Sequence, residues 1–259
     1  MRAVGWSFAL LIVAAASGCH AGRDSVITAP APPASAAPAQ SKPAASAPQA
    51  SALPNDIRWV QRSAEYQAAV AQTYRAATTR VEREAGGRAP GSWAVVLDAD
   101  ETVLSNLQYQ IERAGLGYSG DSWGAWVRRR EATPLPGASS FLARVHALGG
   151  RIAIVTNRLE AECEDTVAVF RRQRLMFDAM LCRPDKGPSD KNPRFEAVAA
   201  GKTPAAAAPL EIVAFIGDNI LDFPALSQAV RDKGEAAFTD FGVRYFLLPN
   251  PMYGSWERN

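Results

Sequence analysis

The sequence is poor in the features that would support several common kinds of site. It has two histidines, His20 and His146, and neither has a partner at the spacing of metal ligands. Its formal net charge of +2 at pH 7 gives no support for a nucleic-acid polymer as partner. A membrane-spanning helix needs about 20 apolar residues, and no apolar run in the chain is that long. These absences exclude the simplest histidine metal site and leave the carboxylates as the groups to examine.

The N-terminal segment has the layout of a secretory signal. Arg2 precedes an apolar stretch at 8–16, and the tetrapeptide "ASGC" ends at Cys19. Small residues directly before a cysteine resemble the lipobox of bacterial lipoproteins, in which Cys19 carries the lipid, although Ala16 stands where that pattern has Leu. Cleavage of a plain secretory signal near an incidental cysteine is the alternative. His20, rather than Asp, after the cysteine favours the outer membrane of the cell envelope, facing the periplasm or the surface.

A segment of almost pure Ala, Pro and Ser follows, at 20–55. It lacks the large apolar side chains that offset the entropy cost of ordering a backbone. We therefore predict a leader at 1–19, a solvated tether at 20–55 and one folded domain at 56–259.

Short apolar runs alternate with helical patterns in the folded part. An amphipathic helix is predicted at 56–85, where apolar residues recur at helical spacing until Gly86 and Gly87. Five runs have the character of buried strands: 93–100, 151–157, 177–182, 211–219 and 244–249. Such runs separated by helices indicate an α/β fold, with a parallel sheet covered by helices on both faces.

Polar residues follow three of the predicted strands, namely Asp98 and Asp100, Thr156 and Asn157, and Asp218 and Asn219. Ligands of such sheets bind outside the carboxyl ends of the strands. Asp98, Asp100 and Glu101 fall within four residues, and their mutual repulsion calls for a cation, a phosphate-binding lysine, or both. The segment 102–134 is too long for a simple loop, and we predict a small helical cap there.

Four motifs occur in order along this predicted fold: "DADET" at 98–102, "TNR" at 156–158, Lys191 within "SDKNPRFEAV", and "GDNILDF" at 217–223. Together they resemble the signature of the haloacid dehalogenase (HAD) superfamily of phosphohydrolases. With "SAEYQA", "SWGAWV", "PLPGA" and the closing "PNPMYGSWE", the chain more closely resembles the class C acid phosphatases, the lipoprotein e group. The resemblance covers 56–256 and implies a Rossmann-like HAD fold with a small helical cap.

Phosphate ester chemistry suits these carboxylates. Asp98 can displace the alcohol by forming an aspartyl phosphate, and Asp100 can give the leaving group its proton and later activate water. Two anions meet only with help from an oxygen-binding divalent cation. The resemblance implies Mg²⁺ held by Asp98, the backbone carbonyl of Asp100 and Asp218, with Asp222 nearby.

The resemblance also implies phosphate contacts from the hydroxyl of Thr156, the ammonium group of Lys191 and backbone N–H groups after the nucleophile. Lys186 is the rival for the lysine role, but the "DKNPRF" pattern favours Lys191. Asn157 and Arg158 would position Thr156 or the substrate, and a surface helix start is the alternative for Arg158.

The implied activity is that of a nonspecific phosphomonoesterase acting on small phosphate monoesters such as nucleoside 5′-monophosphates. Aromatic rings stack on bases without reading their edges, and the candidates are Tyr109, Trp123, Trp126 and Tyr245, although packing within the cap is the simpler interpretation of each cap aromatic. A sugar-phosphate phosphatase and a surface binding lipoprotein on an inactive HAD scaffold are the alternatives. A phosphonatase is disfavoured, because no lysine lies between residues 103 and 185 to form a Schiff base.

Two cysteines remain in the folded part, Cys163 and Cys182. In an exported chain they can form a disulfide, and two buried thiols are the alternative. The sequence does not determine the oligomeric state, and a homodimer is among the states it allows.

Overall fold

Five parallel strands form the central sheet in the computed structural model, which describes residues 52–258. The predicted leader, Cys19 and nearly all of the tether lie outside the described residues. The strands of the sheet are β1 (Trp93–Leu97), β4 (Arg151–Leu159), β5 (Ala179–Arg183), β6 (Glu211–Gly217) and β7 (Tyr245–Leu247). Their order across the sheet is β5-β4-β1-β6-β7. All five predicted strands are present, and the α/β prediction is confirmed.

Seven α-helices surround the sheet: α1 (Asn55–Arg62), α2 (Ala64–Ala85), α3 (Leu107–Glu112), α4 (Gly120–Arg129), α5 (Ala138–Ala147), α6 (Cys163–Arg172) and α7 (Asn192–Ala199), counted over residues 52–258. Side chains of successive strand residues point to opposite faces. On β1, Val95 and Leu97 join a hydrophobic cluster with α2 and α5, whereas Ala94 and Val96 join a second cluster with α7. Helices therefore cover both faces. None of the described helices is both long and apolar enough to cross a membrane.

The prediction of a single helix at 56–85 is wrong, because the helix is interrupted at Ser63. This residue has extended backbone angles, φ −83° and ψ 139°, and its hydroxyl accepts a hydrogen bond from the N–H of Tyr66. A serine in this position caps the first turn of a new helix. The break lets Trp59 of α1 pack edge-to-face with Tyr66 of α2, with ring centroids 5.5 Å apart.

The segment between β1 and α5 holds two helices and a small sheet. Strands β2 (Leu104–Ser105) and β3 (Thr133–Pro134) pair antiparallel at its two ends, and α3 and α4 lie between them in sequence. This arrangement agrees with the predicted helical cap. The N–H of Leu135 donates to the carbonyl oxygen of Val103 at 2.9 Å, so the cap begins and ends beside the turn that follows β1.

Candidate active site

Three carboxylates meet at the carboxyl ends of β1 and β6. Asp98 follows β1, Asp218 follows β6, and Asp222 ends a short 3₁₀ helix just beyond. One carboxylate oxygen from each of the three lies within 4.8 Å of the others. The two strands are neighbours and run parallel, so their ends deliver these acids to one place. The structure thus brings together three of the acids that the sequence singled out.

Gly217 allows Asp222 to come this close. A Cβ atom at Gly217 would lie 2.3 Å from Cβ of Asp222, so no larger residue fits without displacing it. The Asp222 carboxylate also accepts a hydrogen bond from the N–H of Asn219 at 2.9 Å, which closes the turn. Asp222 therefore has a fixed position beside Asp98 and Asp218.

Asp218 has both carboxylate oxygens held by neighbouring donors. Oδ1 accepts from the hydroxyl of Thr102 at 3.1 Å, and Oδ2 accepts from the side-chain amide of Asn250 at 2.9 Å. Burial raises the pKa of Asp218 well above its ordinary value, and the charges of Asp222 and Asp98 add to the effect. Asn250 belongs to the closing "PNPMYGSWE" motif, so the C-terminal segment helps to orient this carboxylate.

Lys191 supplies a positive charge within the acidic cluster. Its Nζ donates to Oδ1 of Asp98 at 2.5 Å and to Oδ1 of Asp222 at 2.6 Å. Burial alone would lower the pKa of Lys191, but the two carboxylates outweigh burial and raise it. Burial raises the pKa of Asp98 to about 7, against the opposing attraction of Lys191. Lys186, the rival candidate, is exposed.

Asp100 faces a different set of partners. The Nε and Nη2 atoms of Arg158 donate to its carboxylate at distances from 2.7 to 3.1 Å, and Nδ2 of Asn106 donates at 2.8 Å. Arg158 is only 2% exposed. The alternative of a surface helix start for Arg158 is therefore wrong, because its guanidinium group is turned inward by this ion pair. Nothing in the local sequence distinguished the two orientations.

Thr156 and Asn157 lie in the last part of β4, beside β1. Thr156 is fully buried, and its hydroxyl accepts a hydrogen bond from the N–H of Arg158 at 3.1 Å. Arg194 of α7 donates to the side-chain oxygen of Asn157 at 2.6 Å and also to the carbonyl oxygen of Thr156. Arg194 was not selected from the sequence, although it lies within the "DKNPRF" motif.

Glu101 is a buried acid without a catalytic assignment from the sequence. It accepts hydrogen bonds from the N–H of Asn106 at 2.7 Å and from the hydroxyl of Tyr253. Burial, and then the charge of Asp100, raise the pKa of Glu101 to about 8. Its φ of +49° lies in the left-handed region, which non-glycine residues seldom adopt. Glu101 therefore braces the turn that carries Asp98 and Asp100.

The structure separates the predicted aromatic candidates. Tyr109 and Trp126 are 3% and 2% exposed and pack inside the cap, so neither has a free ring face for a substrate. Tyr245 lies in the aromatic cluster formed with Phe215, Phe223 and Phe241. The prediction that these three residues contact the substrate is therefore corrected. Their rings are buried and pack against other apolar side chains of the cap or the sheet.

Trp123 and Tyr118 are neighbouring aromatic residues of the cap, and Trp123 lies beside Arg158. Trp123 is partly buried, and the guanidinium carbon of Arg158 lies 5.5 Å from its ring centroid. Tyr118 is 73% exposed, with its ring centroid 6.5 Å from that of Trp123. The sequence placed Tyr118 in the cap but did not select it as a substrate contact. Tyr118 becomes a candidate because its ring is exposed and lies next to Trp123, and only the structure shows this.

A divalent cation suits the cluster of Asp98, Asp218 and Asp222. Hard cations such as Mg²⁺ and Ca²⁺ take oxygen ligands, and three carboxylates offer only oxygen. With all three ionised and Lys191 protonated, the formal charge of the group is −2. HAD phosphatases generally use a divalent metal, and this acidic triad has the composition to hold one.

Cys163 and Cys182 form a disulfide, with their Cα atoms 5.9 Å apart. The bridge joins the first residue of α6 to edge strand β5. Of the two alternatives for these cysteines, the structure has the bridge rather than two thiols. It fastens the helix that follows the Thr156–Arg158 segment.

Comparison with known proteins identifies relatives over most of the chain. The family model described as HAD superfamily, subfamily IIIB (acid phosphatase) matches residues 25–256. The structure is similar to that of the class C acid phosphatase from Bacillus anthracis, with 28% identity and a TM-score of 0.67 over 78% of this chain and 85% of that one. The tungstate-bound crystal structure of the Bacillus anthracis class C acid phosphatase gives 29% identity and a TM-score of 0.68, with the same coverage.

Proposed function

The chain belongs to the acid phosphatase family of HAD subfamily IIIB, and from this membership we propose a Mg²⁺-dependent hydrolase of nucleoside 5′-monophosphates that works through an aspartyl phosphate. That it is a phosphomonoester hydrolase acting on small phosphate monoesters follows from the family and its structural relatives. The observation that carries the finer proposal is the acidic group at the ends of β1 and β6, with Asp100 held two residues from Asp98.

Asp98 acts as the nucleophile. Its carboxylate oxygen bonds to phosphorus while the bond from phosphorus to the ester oxygen breaks, and Asp100 gives its proton to that departing oxygen. In the second step Asp100 takes a proton from water, whose oxygen bonds to phosphorus as the bond to Asp98 breaks. The products are the alcohol, inorganic phosphate and the original carboxylate of Asp98.

Asp98, Asp218 and Asp222 would hold the cation, together with the backbone carbonyl of Asp100. When bound, the cation would neutralise the charge shared by the nucleophile and the phosphoryl oxygens. Thr102 and Asn250 keep the Asp218 oxygens in a fixed direction, as outer partners of metal ligands do. The choice of Mg²⁺ rests on the all-oxygen donor set and on its affinity for sites that also bind phosphate.

Phosphate recognition falls to the groups around Thr156 and Lys191. The ammonium of Lys191 lies against Asp98, and the hydroxyl of Thr156 belongs to the last part of the neighbouring strand β4. Arg194 fixes Asn157 at the same end of β4. The Bacillus anthracis relative was crystallised with tungstate bound, a tetrahedral oxyanion like phosphate, which supports oxyanion binding by this chain.

Tyr118 and Trp123 would contact the organic part of the substrate. An exposed ring beside a partly buried one can stack on a base without reading its edge, at about 1–3 kcal/mol per base. This favours nucleotides over hexose phosphates, which have no flat aromatic face. Asp100 acts as the acid in the first step only while it carries a proton.

A substrate panel tests this function. Phosphate release would be measured from adenosine 5′-monophosphate, glucose 6-phosphate and glycerol phosphate, each with Mg²⁺ and after treatment with a chelator. We expect the highest kcat/KM with the nucleotide and loss of all three activities without metal. Equal rates on glucose 6-phosphate and the nucleotide would contradict the nucleotide preference, and full activity in the chelator would contradict the metal requirement.

We also propose that the enzyme is exported and anchored through a lipid on Cys19, with the outer membrane as its location. The disulfide between Cys163 and Cys182 supports export, since such bonds persist in oxidising compartments. Mass spectrometry of the mature N-terminus would test the lipid. A Cys19→Ser variant should then lose its partition into detergent while keeping its phosphatase activity.

A further inference from the structure

The two carboxylate oxygens of Asp100 are held unequally. Oδ1 accepts from Nη2 of Arg158 at 2.7 Å, from Nε of Arg158 at 3.0 Å and from Nδ2 of Asn106 at 2.8 Å. Oδ2 meets only Nε of Arg158, at 3.1 Å, among the residues the structure describes. Three donors occupy the lone-pair directions of Oδ1. Oδ2 is therefore the oxygen with room for a proton.

Arg158 is itself fixed in this orientation. Its side chain is 1% exposed, so every rotation of the guanidinium would have to find buried partners. Nη1 donates to the hydroxyl of Thr166 on α6 at 3.2 Å, and Trp123 lies against the group from the cap side. The planar fork of Arg158 can thus meet Asp100 in one way only.

The orientation of the Asn106 side-chain amide follows from the donor that faces its oxygen. This residue is fully buried, and its Oδ1 accepts from Nε1 of Trp126 at 2.8 Å. An indole N–H can only donate, so the amide oxygen must face Trp126. The NH₂ group must then face the acids, where it donates to Asp100 and, at 3.2 Å, to Glu101.

We propose that Arg158 and Asn106 are positioning residues that hold Asp100 with Oδ2 as its proton-transferring oxygen. The inference rests on the proposed role of Asp100 as acid and base. A carboxyl group free to rotate would offer its proton in many directions, and misplacement by about 1 Å can cost 100-fold in rate. Because Trp123 and Trp126 both belong to the cap, the cap supports the acid as well as covering the crevice.

The proton balance follows from this assignment. The Oδ2–H bond breaks as the leaving ester oxygen takes the proton, and the negative charge left on Asp100 is paired with Arg158. In the second step Oδ2 takes a proton from the attacking water, and the carboxylic acid is restored. Arg158 neither gains nor loses a proton in either step.

Arg158→Lys tests the proposal through the leaving group. Lysine keeps the charge but loses the fork that fixes Oδ1. 4-Nitrophenolate departs as a stable anion and needs little help from an acid, whereas an alkoxide needs a proton. At saturating Mg²⁺ we expect kcat/KM for glycerol phosphate to fall roughly 10- to 100-fold further than kcat/KM for 4-nitrophenyl phosphate, since general acid catalysis contributes about 10²- to 10⁴-fold. Equal losses on both substrates, or no loss, would overturn the proposal.

Trp126→Phe is a milder second variant, because it removes some ring volume and the shorter of the two hydrogen bonds to Oδ1 of Asn106, and it leaves the one from Nη2 of Arg158 at 3.3 Å. It should show the same selective loss to a smaller degree. If thermal unfolding shows that Arg158→Lys does not fold, Trp126→Phe is the deciding variant. An equal effect of Trp126→Phe on both substrates would then reject the proposed positioning of Asp100.

Two further variants complete the test. Arg130→Lys alters an exposed pair with Asp165 on α6, which has no hydrogen bond to Asp100 or Arg158 within residues 52–258, and should leave both kcat/KM values unchanged. Asp100→Asn separates the two proposals. Without a selective loss in Asp100→Asn, the acid role in the proposed function fails. With that loss in Asp100→Asn but none in Arg158→Lys, only the positioning role fails.

Discussion

Lys191 lies between Asp98 and Asp222, with Nζ 2.5 Å from the first carboxylate and 2.6 Å from the second. All three side chains are at most 10% exposed. The ammonium group of Lys191 therefore pairs with two of the three clustered carboxylates. The third, Asp218, accepts hydrogen bonds from Thr102 and Asn250 instead. Lys191 should therefore contribute to stability, in addition to its proposed role in phosphate binding.

Replacement of Lys191 by Met should destabilise the enzyme and inactivate it. Removing one partner of a buried ion pair costs about 3–5 kcal/mol, because the remaining charge is left without compensation. Chemical unfolding would measure the stability, and phosphate release the activity. Lys186→Met is the matched control, since Lys186 is exposed five residues earlier, and it should change neither. Wild-type activity in Lys191→Met would contradict the assignment of the motif lysine.

Asp98→Asn should abolish turnover while preserving the fold. The substitution keeps the side-chain volume and leaves Lys191 paired with Asp222, but an amide cannot form the acyl phosphate. We expect kcat to fall roughly 10³-fold or more, as in other enzymes that lose a nucleophile. Circular dichroism would check the fold, and Asp165→Asn, which alters a carboxylate paired with Arg130 outside the acidic group, would serve as the control. Normal phosphatase activity in the purified Asp98→Asn variant would refute the proposed intermediate.

Tyr118→Ala should weaken nucleotide binding selectively. A stacked ring contributes about 1–3 kcal/mol per base, so KM for adenosine 5′-monophosphate should rise by roughly 5- to 150-fold, while KM for glycerol phosphate stays within about twofold. The residue is 73% exposed, so thermal stability should not change. Leu116→Ala, in the same loop and 67% exposed, is the control. An equal rise in both KM values would show that Tyr118 acts on the phosphate site instead.

The strands and the clustered acids could be predicted because their signals are local. Each strand is an unbroken apolar run, and in a parallel sheet the residues that follow neighbouring strands must share one edge. That rule alone brings Asp98 and Asp218 together. The helix break at Ser63 also has a local signal, because serine is a common capping residue. The apolar pattern continues across Ser63, however, and conceals the break.

The partners of Asp100 could not be predicted, because they depend on how side chains from distant segments turn. Arg158 is 58 residues away from Asp100, and at a strand end it could have faced solvent or the interior with the same sequence. Tyr245 shows the converse. It belongs to a strand next to the site, yet its ring fills the space between Phe215 and Phe223. Packing of the second hydrophobic cluster decides that orientation.

Metal binding should depend on pH through Asp98. Burial raises the pKa of Asp98 from 3.8 to about 7. Between pH 3.8 and about 7, the folded protein therefore keeps a proton on Asp98 that the unfolded chain has released. The contribution of Asp98 to stability is therefore fully present below pH 3.8 and is lost as pH rises through about 7. Mg²⁺ requires the ionised carboxylate, so protons compete with the metal below that pH.

Two measurements follow from this competition. In a chelator, the melting temperature should fall as pH rises from 5.5 to 8.5, and the gain on adding Mg²⁺ should grow over the same range. Raising the Mg²⁺ concentration should also move the acidic limb of the pH–activity profile to lower pH. Asp98→Asn, which lacks one of the groups that titrate in this range, should weaken the dependence of melting temperature on pH in the chelator, and the remaining dependence should come from Glu101 and Asp218, whose pKa values burial also raises. A stabilisation by Mg²⁺ that is the same at every pH would mean that Asp98 does not exchange its proton for the metal.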